Sequence, residues 1–267
     1  MTEPIFRRRD GAYVPTGHAR GPWDAQALHG GAPAALVAQA VERAEPAEGM
    51  AVVRLTYEFL GAVPMASLEV DAQVVRPGRR LQLLEAELRA EGTAVLRARA
   101  VRLRRGHVDL PVGGTGDEPD DRPPGGAPGD AASSTFPVPA RDGEEGFHRT
   151  GMEIRFAGGT GFGAGPALAW FRLARPLVDD RPPTPLARVA AAADFGNGVS
   201  RVLDFERYLF VNTDLTIHVH REPAGEWVLL DARTRVEATG AGLAASRLFD
   251  ERGPIGLAAQ SLFVAPR

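Results

Sequence analysis

Cysteine and lysine are both missing from this sequence of 267 residues. Without cysteine the chain has no disulfide, no thiol nucleophile and no thiolate ligand for a metal. All 31 basic residues are arginines, which excludes Schiff-base chemistry and the lysines with which kinases and P-loop ATPases hold phosphates. The sequence therefore predicts a protein without an organic cofactor and without a metal centre.

Long hydrophobic runs and blocks of like charge are lacking as well. No apolar run approaches the ~20 residues that a membrane-spanning helix needs, and the first ten residues are charged, unlike a signal peptide. The net charge is −3, and the arginines are interleaved with acidic residues. This pattern predicts a cytoplasmic protein that has neither a nucleic-acid nor a membrane partner. A hydrophobic content of 44% is typical of a globular core.

A weak internal repeat organises what is present. The segment Leu55–Phe59 aligns with Leu215–Val219, and the alignment continues without a gap to Asp71 and Asp231, a constant offset of 160 (215 − 55 and 231 − 71). Identities are few, so the matching hydrophobic alternation and the absence of gaps are the basis of the repeat. The chain is predicted to consist of two similar α+β units.

The first predicted domain covers residues 1–106. The dipeptide Asp10-Gly11 favours the turn of a short hairpin, because both residues tolerate positive φ angles. A slim, alanine-rich helix is predicted from Pro33 to Ala44, and four antiparallel strands follow it up to Arg104. Residues 107–146 are rich in Gly, Pro and Asp and are predicted to form a mobile linker.

The second predicted domain covers residues 147–267. Two strands flank the glycine-rich segment Gly158–Gly165, which lacks the G-x-G-x-x-G spacing of a dinucleotide site. A helix is expected from Leu186 to Ala193, with Thr184 as its N-cap. The repeated strands begin near Leu209. His218 and His220 lie on one face of a strand but have no third ligand in the sequence, so we interpret them as surface residues.

Several polar residues of the second domain are candidates for chemistry. Asp194 follows an apolar helix, where a carboxylate is disfavoured by the helix dipole, so it is either a general base or the cap of the glycine-rich turn behind it. Gln260 lies in the last strand and faces either the core or solvent. Asn212 and Thr213, at the entry to the first repeated strand, show the same ambiguity.

The first domain offers a complementary set of residues. His29, Gly30 and Gly31 begin the predicted helix, where free backbone N–H groups can bind a carbonyl oxygen or an oxyanion. The alternative is a tight entry into the helix with no further role. Trp23 and Asp24 precede this motif and are further candidates for substrate binding. The alternative for Asp24 is that it caps a short helical turn over Ala25–Leu28.

Taken together, these residues resemble a known family. The repeat, the slim helix after Gly30-Gly31, the segment Ala193-Asp194-Phe195 and the residues Asn212 and Gln260 look like the double-hotdog acyl-CoA thioesterases of the TesB-like group. The likeness covers nearly the whole chain except the linker. It implies two tandem hotdog folds, each an antiparallel sheet wrapped around a central helix, with a site where the halves meet.

The resemblance also implies roles and partners. In that family an Asp, a Thr and a Gln activate a water molecule that hydrolyses the thioester, and these positions correspond here to Asp194, Asn212 and Gln260. Asn212 thus stands where the family has Thr, with Thr213 one residue later. Acyl-CoA is the implied substrate, and a homodimer or a higher homo-oligomer is expected. A hotdog hydratase and a silent acyl-CoA-binding or assembly protein remain alternatives.

Overall fold

The computed structural model describes residues 2–45, 47–111, 122–134, 145–159, 161 and 163–267. The chain begins with strands β1 (Phe6–Arg9) and β2 (Ala12–Pro15), which pair in antiparallel orientation. Asp10 and Gly11 between them have φ angles of 49° and 87°. The hairpin predicted from this dipeptide is therefore confirmed.

The first half continues with one helix and four strands. Helix α1 spans Gly31–Arg43, so it begins two residues earlier than Pro33. The strands that follow it are β3 (Met50–Phe59), β4 (Leu68–Arg76), β5 (Leu81–Ala90) and β6 (Thr93–Arg104). Ala34, Ala35 and Ala38 of the helix are fully buried. Small side chains on several faces allow the sheet to wrap closely around α1.

Part of the predicted linker lies against the second half of the chain. Strand β7 (Ala132–Ser134) comes from this segment. The indole Nε1 of Trp170 donates a hydrogen bond to Gly126 O at 3.2 Å, and Arg155 Nη1 donates to Pro128 O at 3.0 Å. Residues 122–134 are thus ordered, which their composition did not indicate. Residues 112–121 and 135–144 of the predicted mobile linker lie outside the described residues.

The second half repeats the plan of the first. Its helices are α2 (Pro185–Ala193) and the short α3 (Gly196–Val199). Its strands are β8 (Met152–Gly159), β9 (Ala167–Leu173), β10 (Tyr208–Asn212), β11 (Asp214–Val219), β12 (Val228–Val236), β13 (Ala241–Asp250) and β14 (Gly253–Pro266). Thr184 occupies the N-cap position of α2 as predicted, but its hydroxyl makes no capping hydrogen bond. Its side chain therefore does not have the capping role that was expected.

All strands of the described residues join one antiparallel sheet, and its order is symmetric. It runs β1-β2-β4-β5-β6-β3-β11-β14-β13-β12-β9-β8-β7, with β10 paired to β14. The two halves meet at β3 and β11, where Thr56 lies opposite Thr216 and the two hydroxyls are 3.3 Å apart. These residues are themselves 160 apart (216 − 56), so the repeat appears in the structure as a pseudo-twofold axis between them.

The core is continuous across the two halves, because α1 and α2 lie against each other inside the curved sheet. Tyr57 from the central strand β3 is fully buried and donates a hydrogen bond to Ala34 O of α1 at 2.9 Å. In the described ranges no helix is long and apolar enough to span a membrane. The domain boundaries at 106 and 147 stay a prediction.

Candidate active site

Asp194 is the centre of the candidate site. It is the C-cap residue of α2 and is only 4% exposed. Its carboxylate lies against Gly30, the N-cap of α1 in the other half, and a Cβ at Gly30 would come within 2.9 Å of Asp194 Oδ2. A side chain at position 30 would therefore push the carboxylate away from the start of α1. The positive end of the α1 dipole stabilises a negative charge there.

Gln260 holds the chain around Asp194 through its amide. The side chain is 2% exposed, so this residue of β14 faces the core. Its Nε2 donates to Asp194 O at 3.2 Å and points toward Asp194 Oδ1 at 3.5 Å. Its Oε1 accepts from the N–H of Asn197 at 3.1 Å, which fixes the orientation of the amide. Gly196 allows this approach, because a Cβ there would be 2.9 Å from Gln260 Oε1.

Asn212 and Thr213 point in different directions. Asn212 Nδ2 donates to Asp194 Oδ1 at 2.9 Å. Thr213 is exposed, and its hydroxyl faces Ser261 O at 3.4 Å. The structure therefore brings Asn212, and not Thr213, into the group around Asp194. Thr213 lies at the junction between β10 and β11, where its backbone N–H donates to Ser261 O at 3.0 Å.

His29 approaches Asp194 from the first half. Its Nδ1 is 3.0 Å from Asp194 Oδ2 and 3.1 Å from the backbone nitrogen of Gly31. Nδ1 either carries a proton that it donates to the carboxylate or has a lone pair that accepts from Gly31, and it cannot do both at once. When Asp194 is ionised the first arrangement is favoured, which releases the Gly31 N–H. The imidazole ring stacks on Phe195 with a centroid distance of 4.3 Å.

Two cavities end at this group. The larger, of about 310 Å³, is lined by candidate residues of both halves: Trp23, Asp24, His29, Gly30, Asp194, Asn212 and Thr213. Its other walls are largely apolar and include Ala27, Leu28, Phe59, Ala62, Val63 and Val211. Gly31, Gln260 and His148 are not part of its lining. The smaller cavity, of about 40 Å³, lies on the side of His148, Phe195 and Arg201. Trp23, His29 and Asp194 border both spaces.

Asp24 does not have the predicted capping role. Ala25 and Gln26 form a turn, and Ala27 and Leu28 form isolated β-bridges, so residues 25–28 are not helical. The Asp24 carboxylate accepts from the N–H of Gln26 at 2.8 Å, as in an Asx turn. Asp24 thus makes the local hydrogen bond that its residue type favours. No helix follows, because Leu28 N–H donates to Val63 O at 2.8 Å instead. Asp24 thereby becomes part of the wall of the larger cavity.

Family models match both halves of the chain. The model described as the acyl-CoA thioesterase N-terminal domain matches residues 19–103, and the model described as the C-terminal domain matches residues 119–264. This chain belongs to the acyl-CoA thioesterase family. The predicted enzyme class and the resemblance to double-hotdog thioesterases are thereby confirmed.

Solved structures show the same fold over the whole length of this thioesterase. A protein assigned as a thioesterase from Novosphingobium aromaticivorans has a TM-score of 0.71 at 25% identity, covering 98% of this chain and 99% of that one. The acyl-CoA thioesterase II TesB2 of Mycobacterium marinum has a TM-score of 0.63 at 15% identity, with 98% and 94% covered. A hotdog-fold protein from Alicyclobacillus acidocaldarius gives 0.68 at 18% identity, with 98% and 95% covered. No curated protein sequence matches the chain significantly.

The candidate site contains a residue that the sequence did not suggest. His148 lies in the π-helical turn Phe147–Gly151, is 6% exposed and faces His29 with a ring distance of 6.5 Å. Burial, together with the neighbouring His29 and Arg149, lowers the pKa of His148 to about 3. The ring is therefore neutral at physiological pH. Its sequence context, the end of a linker, gave no sign of this placement.

Glu42, in the last turn of α1, approaches the start of α2 much as Asp194 approaches the start of α1. Leu186 N–H donates to Glu42 Oε1 at 3.4 Å, and burial raises the pKa of Glu42. The positions 160 before Gln260 and Asn212 are Ala100 and Val52 (260 − 160 and 212 − 160), and neither side chain can donate a hydrogen bond. Within the described residues, the set of donors around Asp194 thus has no symmetric counterpart.

Proposed function

We propose that this thioesterase hydrolyses acyl-CoA with a water molecule that Asp194 activates and that Asn212 and Gln260 help to hold. The observation that carries the proposal is the convergence of both amides on the buried carboxylate of Asp194, at the end of a cavity between the halves. A carboxylate within reach of a water molecule is a suitable general base for acyl transfer. The site needs neither a covalent nucleophile nor a metal ion for this reaction.

The amide donors support the base in two ways. Asn212 at 2.9 Å and Gln260 at 3.5 Å both point to Asp194 Oδ1, while Oδ2 faces His29 and Gly30. Hydrogen bonds from several directions restrict the rotation of the carboxylate, so that its free lone pairs keep one direction. The amide oxygen of Asn212, which lines the cavity, is also an acceptor that can orient a hydrogen of the attacking water. Gln260 Oε1 instead accepts from the N–H of Asn197, so Gln260 acts on the water through the position of Asp194.

The start of α1 is suited to stabilise the oxyanion that forms when water attacks the thioester. The first N–H groups of a helix have no partner within it, and they bind an oxygen on which negative charge develops. Gly30 lines the larger cavity and Gly31 follows it. We assign these N–H groups to the thioester carbonyl, with His29 beside them, and we assign Trp23 and Asp24 to substrate binding through the cavity wall.

The proposed reaction balances without an external reactant. The water oxygen attacks the carbonyl carbon while one water proton passes to Asp194, and the carbonyl oxygen becomes an oxyanion. Collapse of this tetrahedral intermediate breaks the C–S bond. The CoA thiolate leaves and takes a proton from the Asp194 carboxyl group, which regenerates the carboxylate and yields the free acid.

A panel of acyl-CoA substrates tests this function. Release of free thiol is measured for acyl chains from acetyl to palmitoyl, with and without a chelator. We expect turnover of part of the panel at a rate that the chelator does not change. Saturable binding without thiol release would instead identify a silent acyl-CoA-binding protein, and water addition to an enoyl-CoA would identify a hydratase.

Self-association is proposed separately. Leu243, Leu257 and Phe263 are each about half exposed on strands β13 and β14. Apolar side chains on an uncovered sheet face favour contact between copies of the chain. Sedimentation velocity over a range of concentrations is expected to show a dimer or a larger species. A monomer at the highest concentration would contradict this.

A further inference from the structure

Trp23 lies between the two cavities that reach Asp194. It borders the larger space of about 310 Å³ and also the smaller space of about 40 Å³. The larger space has apolar walls on the side of Phe59 and Val63, whereas the smaller one has room for little more than a water molecule or a methyl group. Five residues line both spaces, namely Pro22, Trp23, His29, Asp194 and Asn197, and Trp23 has the largest side chain among them.

Aromatic and cationic contacts from the other half hold this indole in place. The ring of Phe205 stacks on Trp23 with a centroid distance of 4.1 Å and an interplanar angle of 25°. Phe210 meets Trp23 edge-on at 5.0 Å. The guanidinium of Arg267 lies 5.0 Å from the Trp23 ring and 4.8 Å from the Phe205 ring. Such contacts each add a modest stabilisation beyond burial, so the indole has one preferred position.

We propose that Trp23 is the residue that limits the length of the acyl group, because it closes the larger cavity against the smaller one. This inference rests on the proposed function, since it assigns the apolar part of the cavity to the acyl chain. A space of about 310 Å³ is at the lower end of the range of ligand cavities. A smaller side chain at position 23 is therefore expected to admit longer acyl groups than the wild-type protein does.

The decisive experiment compares chain-length profiles of Trp23→Ala and wild type. For each protein kcat/KM is measured on acyl-CoA from C2 to C16. The ratio of dodecanoyl to butanoyl kcat/KM is expected to rise about tenfold or more in Trp23→Ala, because each further methylene that becomes buried contributes about fourfold to binding. Trp23→Phe keeps a ring against Phe205 and is expected to retain the wild-type ratio within about threefold.

Two further variants test whether the orientation of the Trp23 ring matters and whether the effect is specific to this tryptophan. Phe205→Ala removes the ring that holds the indole and is expected to shift the profile in the same direction by a smaller factor. Trp227→Ala is the matched control, since Trp227 belongs to a separate cluster on the outer side of the second half, where Arg155 and Arg172 cover it. Its profile is expected to equal that of wild type even if its Tm is lower.

Binding provides a readout that does not depend on turnover. The Kd of non-hydrolysable thioether analogues of butanoyl- and dodecanoyl-CoA is measured by calorimetry for wild type and for Trp23→Ala. If wild type releases no thiol from any substrate but Trp23→Ala gains affinity for the longer analogue, the proposed hydrolysis fails and the inference about Trp23 stands. An unchanged ratio for Trp23→Ala in both kcat/KM and Kd overturns the inference and leaves the proposed function intact.

Discussion

Asn212 Nδ2 donates a hydrogen bond to Asp194 Oδ1 at 2.9 Å. The resemblance to the TesB-like thioesterases implies a threonine at this position. The neighbouring Thr213 is exposed and faces Ser261 instead. An amide has a longer reach than a hydroxyl and offers both a donor and an acceptor. Asn212 can therefore donate to the carboxylate with Nδ2 and accept from a water molecule with Oδ1. A threonine would have to make both contacts through its one hydroxyl oxygen.

Substitutions at these two positions should have very different effects. Asn212→Ala removes a hydrogen bond to a charged group, so we expect kcat on the best acyl-CoA substrate to fall about 10- to 100-fold. Thr213→Ala is the matched control and should stay within about twofold of wild type. Equal losses in the two variants, measured by thiol release, would mean that Asn212 has no special role.

Gly30→Ala tests the contact between the halves. The φ angle of Gly30 is −55°, so alanine is compatible with the backbone. The added Cβ would, however, lie 2.9 Å from Asp194 Oδ2 and displace the carboxylate. A misplacement of a catalytic group by about 1 Å can lower the rate about 100-fold. We therefore expect kcat of Gly30→Ala to fall by about that factor, with little change in Tm.

The control for this variant is Gly106→Ala, where a Cβ meets no atom within 4 Å. It should leave kcat and Tm unchanged. If Gly30→Ala is as active as Gly106→Ala, the site tolerates movement of Asp194, and the proposed geometry is wrong.

Glu42→Gln tests the titration of the carboxyl group in the last turn of α1. Burial raises the pKa of Glu42, so protonation of this carboxyl group is easier in the folded protein than in the unfolded chain. Its stabilising contribution is complete below the pKa of the unfolded chain, about 4.3, and is lost as the pH rises through the folded pKa. Glutamine stays neutral at every pH. The Tm of the variant relative to wild type should therefore increase with pH, by about 2–4 °C for each kcal/mol.

Melting curves between pH 4 and pH 8 check this expectation, and thioesterase activity should be unaffected. Glu48→Gln, on the exposed loop after α1, is the control and should show no such trend. A Tm difference for Glu42→Gln that is constant over pH would show that Glu42 has no shifted titration in the fold.

Asp250 should give the opposite dependence on pH. It is fully buried and receives two hydrogen bonds from Arg221, at 2.5 and 2.6 Å, as well as the N–H groups of Ala224 and Arg252. Burial alone would raise the pKa of Asp250, but these donors outweigh it and hold the pKa below its usual value. The stability that Asp250 contributes is present above the unfolded pKa of about 3.9 and is lost as the pH falls through the folded pKa.

Asp250→Asn leaves Arg221 without its carboxylate, so we expect a loss of about 3 kcal/mol at pH 7 and a smaller loss in acid. The comparison is Asp231→Asn, which breaks the exposed pair between Asp231 and Arg247 and should cost less than about 1 kcal/mol. Denaturant unfolding at pH 7 measures both. Similar losses in the two variants would contradict the stabilising role of the buried pair.

Much of the fold could be predicted from the sequence, because it follows from periodic patterns. The offset of 160 predicted β12 and β13, whose observed bounds differ from those of β4 and β5 by that same number. Asp194 and Gln260 were found through their unusual positions and the family resemblance. Their proximity follows from the fold, since helix end and last strand meet in the core.

The remaining features depend on contacts between residues distant in sequence. Nothing local to Trp23 indicates that it stacks on Phe205, and nothing near His148 places it beside His29. The side chain of Thr184 does not cap α2, although the local sequence favours it. The choice between Asn212 and Thr213 depended on which side of the strand faces α2, and only the three-dimensional register decides this.

The rate of thiol release by Asp194→Asn directly tests whether Asp194 is the general base. The substitution keeps the size of the side chain and removes the base, so CD spectra and Tm should remain close to wild type. We expect kcat of Asp194→Asn on the best acyl-CoA substrate to fall by about 100-fold or more. A correctly folded Asp194→Asn protein that retains near wild-type kcat would contradict it.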